Sequence, residues 1–353
     1  FQIKKLEQEL GVQLFERIGH NVSLTIDGQK ALAYAQQICH LSQEMLQATG
    51  SEQVNVVIQT VSTREWQDYD IASDRTQRYE IQDHDLVLVD DSLDQMDCTE
   101  ANTLSDFLVW SQENYPADRY MLILWNHGGG PVEGFGYNEW GRSSDSLTIN
   151  EMQDALETSG IKLDIFGMDC CIMSSLEVCY ALYDYCDYMI LSEDFESSLG
   201  WAYEGWLTAL AENPSIDTPA LGEIIIDDMV AENDSHAWGS SSTLALIDQR
   251  YVPNLYASWK EFAYANEESL LNVNYSREII RSARALPFDV KKVDSEMQEY
   301  YITDIMALAS SISSDESKPL ITELTNAIVY YNCTDDNLGL TGLSITIPYG
   351  DRS

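Results

Sequence analysis

Two short stretches carry the residue types that nucleophilic catalysis needs. The first is "RYMLILWNHGGGP", residues 119–131, in which five apolar residues, Met121 to Trp125, lead into Asn126, His127 and three glycines. The second is "KLDIFGMDCC", an apolar run that ends on Asp169, Cys170 and Cys171. Reactive groups in a parallel α/β sheet collect at the carboxyl ends of its strands. Forty-four residues separate His127 from Cys171, room for a loop and one crossover helix. The two strands can then be neighbours, with a thiol and an imidazole on one edge. A cysteine and a histidine so placed make a nucleophile and its general base or acid. Cys171 also precedes a predicted helix, whose dipole favours a thiolate. Backbone amides at Gly128 and Cys171 are candidates for an oxyanion hole. Glycines at 128–130 let a substrate backbone come close.

Each half has a plainer reading. A histidine and glycine after a strand most often make a turn, and a cysteine there is most often a small core residue. Cys179 and Cys186 fall near one helical face after Cys171 and read as core. Cys39, Cys98 and Cys333 carry no chemical signal, and His20, His40, His84 and His236 read as surface or loop residues.

The elements that must position the pair follow from periodicity. "VNVVIQTV" reads as a strand, and "HDLVLVDD" as a short second one. "TLSDFLVWSQENY" has apolar residues at 104, 107, 108 and 110 and reads as a helix. "LTINEMQDALETSG" carries both helix signals: Thr148 and Glu151 form a capping box, and Gly160 ends it. After the strand "KLDIFGMDCC" come the helix "SSLEVCYALYDYC" and the strand "YMILSED". Strands alternating with helices predict an α/β fold with a mostly parallel sheet.

The bulk composition narrows the partners. Of 353 residues, 44% are hydrophobic, so the chain folds around a sizeable core. No run approaches eighteen apolar residues, and no secretory signal is visible at the start. The formal net charge is −40. A surface that acidic repels nucleic acid and anionic membrane, and suits cationic partners. Seven cysteines without a CxxC spacing support neither a zinc site nor a disulfide framework.

The first 48 residues have a different rhythm. Leu6, Leu10, Leu14 and Phe15 fit helical spacing with a break at Gly11, "HNVSLT" reads as a short hairpin, and 26–48 as a long helix. The series Leu6-Glu7, Leu10-Gly11, Leu14-Phe15, Arg17, Leu24-Thr25 and Gly28 resembles the later half of the winged helix-turn-helix of LysR-type regulators. The first helices of that domain and the start of its recognition helix have no counterpart. Lys4, Lys5, Arg17 and Lys30 stand against Glu7, Glu9, Glu16, Asp27 and Glu44, a net of −1. DNA binding by so partial a reader is not expected.

Residues 54–349 resemble the clostripain family of cysteine peptidases, in the caspase–gingipain–legumain clan. "YPADRYMLILWNHGGG" is similar to the family's histidine block and "DIFGMDCCIMSSLEVCYAL" to its cysteine block. "LSEDFESSLGWAYEGWLTALAENP", "STLALIDQRYVPNLYASW" and "GLSITIPYG" follow in family order. The resemblance implies a caspase-like three-layer αβα sandwich, preceded by a partial, mostly helical winged helix-turn-helix segment. It implies domains at 1–48 and 54–353, joined at 49–53. It makes Cys171, not Cys170, the nucleophile, paired with His127. It implies an endopeptidase that cleaves after Arg or Lys through a thioester acyl-enzyme. Asp169 matches a family acidic residue of the basic pocket, where a carboxylate would pair with a guanidinium. Glu193 and Asp194 are further candidates for the same wall. Family members often cut themselves between the two catalytic blocks, and Arg142 is the basic residue in "VEGFGYNEWGRSSDSLT".

No cofactor is expected. Some family members use calcium, and "DDSLDQMDCTE" offers Asp90, Asp91, Asp94, Asp97 and Glu100, without the glycine and spacing of an EF-hand loop. Nothing in this chain resembles the family's opening strand and helix, and the LysR-like piece stands in their place. A fused or misassembled reading frame is the expected explanation. A sheet lacking that strand exposes an edge, with the catalytic strands expected further in. Family members are often exported, whereas the start of this chain points to the cytoplasm. Two other functions fit the chain: a LysR-type regulator fragment whose peptidase-like part senses a ligand, and an inactive peptidase-like binding module.

Overall fold

The computed structural model describes residues 51, 53–64, 66, 71–141, 145–197, 199–235, 242–271, 302–334 and 339–347, together with the backbone of two strands near the start. Those two, β1 (Phe15–Ile18) and β2 (Asn21–Leu24), form an antiparallel hairpin. "HNVSLT" supplies its second strand. Phe15, placed by its spacing on a helix, instead opens β1. The helix expected over 26–48 lies outside the described residues, as does Arg142.

A three-stranded antiparallel sheet follows: β3 (Val57–Thr60), β4 (Gln77–Gln82) and β5 (Asp85–Asp90). The β4–β5 turn is Asp83-His84, both at positive φ (48° and 66°). That conformation matches the twist of a two-residue hairpin. "VNVVIQTV" therefore belongs to this small sheet and pairs with β4. Buried Arg78 ties the sheet to helix α1 (Ala101–Asn114). Its guanidinium pairs with Asp106, donates to Gln59 Oε1 at 2.9 Å, and stacks 4.6 Å over the Trp110 ring.

The main sheet has five strands in the order β11-β9-β8-β7-β6. β6 (Met121–Trp125), β7 (Leu163–Asp169) and β8 (Cys186–Leu191) pair in parallel. β9 (Thr243–Asp248) runs antiparallel to β8, and β11 (Ile328–Cys333) antiparallel to β9. Four strands therefore point one way and one the other, a mostly parallel sheet. β10 (Ile302–Asp304) and β12 (Ser344–Thr346) form a separate antiparallel pair. Between β6 and β7 run the short α2 (Gly130–Glu133) and α3 (Ile149–Ser159). Both limbs of the capping box at Thr148 and Glu151 are present, and Gly160 closes α3 at φ 64°. α4 (Leu176–Leu182) links β7 to β8. α5 (Tyr203–Glu212) and α6 (Thr218–Ser235) link β8 to β9. α7 (Val252–Ala265), α8 (Glu267–Leu270), α9 (Ile305–Ile312) and α10 (Ser317–Ala327) follow among the described residues.

Two apolar cores lie on opposite faces, and the two-residue period of the strands divides their side chains between them. Leu122 and Leu124 on β6, Phe166 and Met168 on β7, and Met189 and Leu191 on β8 face the larger core under α1, α3, α4, α7, α9 and α10. Met121, Ile123, Ile165, Ile190, Leu244 and Leu246 face the smaller one under α5 and α6. The result is three layers, helix, sheet and helix. Gly167 in β7 leaves the space that the buried Trp201 indole fills, since a Cβ there would lie 2.6 Å from it. Cys179 and Cys186 are both buried as expected, though Cys186 opens β8 rather than sharing a helical face.

The two strands expected to carry the Cys–His pair are not both interior. β7 lies between β6 and β8, but β6 is an end strand of the described sheet. The strand that delivers His127 is itself the edge.

Candidate active site

β6 and β7 end side by side, with Trp125 paired to Asp169. The chain beyond β6 turns at Asn126, whose side chain accepts the His127 N–H at 2.7 Å. The His127 carbonyl accepts the Gly136 N–H at 2.7 Å. Gly129 donates to the Gly134 carbonyl at 2.7 Å, and Phe135 exchanges both backbone bonds with Leu147 at 2.9 and 2.8 Å. The loop 128–136 is thus closed on itself and stitched to Leu147, the residue before the α3 N-cap. His127 stands exposed at its base, its ring 5.2 Å from that of Tyr137 and tilted by 30°.

The histidine loop rests directly on the cysteine turn. A Cβ at Gly128 would lie 2.0 Å from the Cys171 carbonyl oxygen and 3.0 Å from its nitrogen. Glycine is needed there so that the protein's own backbone, rather than a substrate's, can approach. We predict that Gly128→Ala displaces the loop by about 1 Å and lowers kcat/KM roughly 100-fold without loss of secondary structure. Kinetics beside circular dichroism would test this; an alanine variant of normal activity would contradict it.

Cys171 is half-buried and Cys170 is buried, so Cys171 offers the reachable thiol. The next residue, Ile172, is held at φ +54°, a conformation costly for a β-branched side chain. Its N–H is fixed by the Asp194 carbonyl at 2.9 Å. The Cys171 Sγ accepts the Glu196 N–H at 3.3 Å. Burial raises the thiol pKa above its ordinary value, against that amide's opposing pull, and the Asp194 and Asp169 carboxylates raise it further. A helix-stabilised thiolate was expected. Instead α4 begins at Leu176, with Ser175 capping the Val178 N–H, so the helix terminus is displaced from Cys171. The resting group is a thiol that needs a base.

Asp169 is fully buried. Its Oδ2 accepts the Trp201 N–H at 3.0 Å and the Tyr203 hydroxyl at 2.9 Å. Burial pushes its pKa up to about 6, against those hydrogen bonds and one from Glu196. Gly200, at φ +68°, lets the backbone pass over this carboxylate. Of the other two acidic candidates, Asp194 lies close enough to act on the Cys171 thiol, and its own Oδ1 accepts the Phe195 N–H at 2.8 Å. Glu193 is buried, and its Oε2 accepts the Gly342 N–H at 2.8 Å. It ties the end of β8 to the segment before β12.

A model of the clostripain peptidase family matches residues 34–340. The chain belongs to the clostripain family. Clostripain of Hathewaya histolytica is 35% identical over 89 residues, covering 22% of this chain and 17% of that protein. A secreted C11 cysteine protease of Bacteroides thetaiotaomicron, solved with an irreversible peptide inhibitor, superposes with a TM-score of 0.66 at 19% identity. That match covers 91% of this chain and 90% of the other. An inactive zymogen C11 protease of Parabacteroides distasonis gives a TM-score of 0.63 at 19% identity, covering 90% and 88%. At such identities the likeness is one of fold, and it is the caspase-like three-layer sandwich. A LysR-family helix-turn-helix model matches residues 1–29. The regulator YwqM of Bacillus subtilis (strain 168) is 48% identical over 48 residues, covering 14% of this chain and 16% of that protein. The chain thus spans under a fifth of the length of these two curated relatives.

Within this clostripain-family site, sequence reading missed Glu196 and Tyr137. Glu196 stands in the quoted block "LSEDFESSLGWAYEGW", but nothing local separates it from the other acids there. Its place beside Asp169 depends on the return of the chain through Trp201 and Tyr203. Three carboxylates of the acidic loop considered for calcium accept hydrogen bonds from the protein. Asp90 accepts from Ser92, Asp91 from Gln77, and Asp97 from Thr99 and Asn138. Among the described residues, no cluster of three or more His, Cys, Asp or Glu is arranged to hold a metal ion. No described helix is long and apolar enough to cross a membrane.

Proposed function

We propose that this chain is a cysteine endopeptidase that cleaves after Arg or Lys, with Cys171 as nucleophile and His127 as its base. One observation carries the reading: the reachable thiol, the histidine loop packed on its backbone and the buried Asp169 carboxylate meet at the adjoining ends of β6 and β7. His127 takes the Cys171 proton as sulfur attacks the carbonyl carbon. The oxyanion is held by the backbone N–H groups of Gly128 and Cys171. Collapse of the tetrahedral adduct expels the amine, which takes the proton from His127, and leaves a thioester. Water, deprotonated by His127, hydrolyses that thioester and frees the thiol. Asp169 supplies the negative charge for the basic side chain, and Asp194, which acts on the same thiol, is a further candidate for that wall. Glu193 serves as a structural tie.

In this reading residues 54–353 are the peptidase domain and 1–48 a LysR-like segment. That segment's net of −1 gives little phosphate-neutralising charge, so a DNA partner is not proposed. The chain is proposed to cut itself after Arg142. A fluorogenic peptide with Arg at the cleavage position is expected to be hydrolysed, while its Asp counterpart is not. No hydrolysis of the Arg peptide by folded protein would overturn the reading. Cleavage after Arg142 that persists in Cys171→Ala would overturn self-processing.

A further inference from the structure

Two buried carboxyl groups, Asp169 and Glu196, meet at Trp201, whose main-chain N–H donates to Asp169 Oδ2 at 3.0 Å and whose indole N–H reaches toward Glu196, and each acts on the other's ionisation. Glu196 Oε1 accepts the Trp201 indole N–H at 3.4 Å. Its Oε2 is buried and, among the described residues, has no hydrogen-bond donor. Among the described residues, the groups acting on the pair are Cys171, Cys170, the Trp201 N–H groups and the Tyr203 hydroxyl, and none of these is a cation. Two adjacent buried carboxylates cannot both stay ionised without a compensating positive charge. The site must therefore hold either a proton between the two acids or a cation from outside.

We propose that Glu196 is a second specificity-determining residue, which with Asp169 forms a proton-sharing acid pair that exchanges its proton for the guanidinium of a substrate arginine. This rests on the basic-pocket reading given above and adds to it a residue and a proton. The resting pair is one carboxylate and one carboxylic acid. On binding, the guanidinium lies between two carboxylates and one proton leaves to solvent, so charge balances on both sides. Arginine fits better than lysine because its planar fork can meet two separate carboxyl groups at once, whereas an ammonium is a point charge. The donor-free Oε2 of Glu196 is the acceptor that such a fork fills. The main chain of Glu196 also donates to Cys171 Sγ at 3.3 Å, so loading the pocket touches the nucleophile's environment. Burial, with the Asp169 charge adding to it, holds the Glu196 acid in its protonated form well above the usual carboxylate range.

The test is calorimetric, on full-length Cys171→Ala protein, with acetyl-arginine amide and acetyl-lysine amide as probes at pH 7. Buffers of differing ionisation enthalpy report protons released per ligand bound. The expected result is close to one proton released with the arginine probe. Cys171→Ala with Glu196→Gln should release almost none and bind the arginine probe about tenfold more weakly, with a smaller loss for lysine. No release by the Cys171→Ala protein, with binding intact, would overturn the exchange and leave the basic pocket standing. Equal release with and without Glu196→Gln would assign the proton elsewhere. Failure of either probe to bind would overturn the basic-pocket reading and this inference with it.

Discussion

An Asp169→Asn chain is expected to lose at least ~100-fold in kcat/KM on arginyl substrates and yet to be more stable than the parent at neutral pH. The first effect follows from replacing a carboxylate by an amide, which removes the charge and turns N–H donors toward a ligand that is itself all donors. The second follows from burial. The Asp169 carboxyl is pushed up to about 6 because the folded chain strips it of water more than Trp201, Tyr203 and Glu196 compensate. An exposed aspartate in the unfolded chain ionises near 4. Below that pH both states hold the proton and the group carries no penalty. Between about pH 4 and 6 the unfolded state ionises into water while the folded state keeps its proton, so stability falls, and the loss is complete once the folded carboxyl ionises above 6. At pH 7 the accumulated cost is on the order of 1–3 kcal/mol. Asparagine does not ionise, so the Asp169 share of the decline should vanish over that range, leaving the fall that the still-protonated, buried Glu196 imposes on both chains. Urea midpoints at pH 4 and pH 7 would measure both chains. Parallel pH profiles would show that the buried charge is not what Asp169 costs.

Removal of either member of the proposed dyad is the other large effect. Cys171→Ala and His127→Ala are each expected to lower kcat/KM by ~10⁴-fold or more, and the double variant to be little worse than either single one. The non-additivity has a physical source. Burial and the neighbouring Asp194 and Asp169 carboxylates keep Cys171 a thiol at rest, so without His127 there is scarcely any thiolate to attack, and without Cys171 the imidazole has nothing to activate. For the same reason, alkylation of Cys171 by iodoacetamide should be slow near pH 7 and quicken as pH rises. His127→Ala that retained most of its activity, or losses that simply multiplied, would argue for independent roles.

What could be read from the sequence was local. The capping box at Thr148 and Glu151, the left-handed stop at Gly160 and the run Met121–Trp125 depend only on residues a few positions apart, and each stands where it was expected. Alternating strands and helices gave the layered fold because that rhythm leaves few packings. Two readings failed where distant segments meet. Gly128 looked bare for a substrate's sake, yet it is the Cys171 carbonyl that occupies the space. Cys171 looked like a thiolate at a helix terminus, and the turn through strained Ile172 separates it from α4 and tucks it among carboxylates. Glu196 could not be found from spacing at all. Its importance comes from Trp201 and Tyr203 folding back over Asp169, a contact between the end of one strand and the entrance of a later helix.

The most direct test is covalent capture of the nucleophile. Folded protein incubated with a peptidyl-arginyl chloromethyl ketone should gain the mass of one adduct, and peptide mapping should place it on Cys171. The adduct should disappear in Cys171→Ala, form far more slowly in His127→Ala, and form poorly from the matching aspartyl reagent. Labelling of Cys98 or Cys333 in preference to Cys171, or equal labelling by the two reagents, would contradict a Cys171–His127 peptidase with a basic pocket.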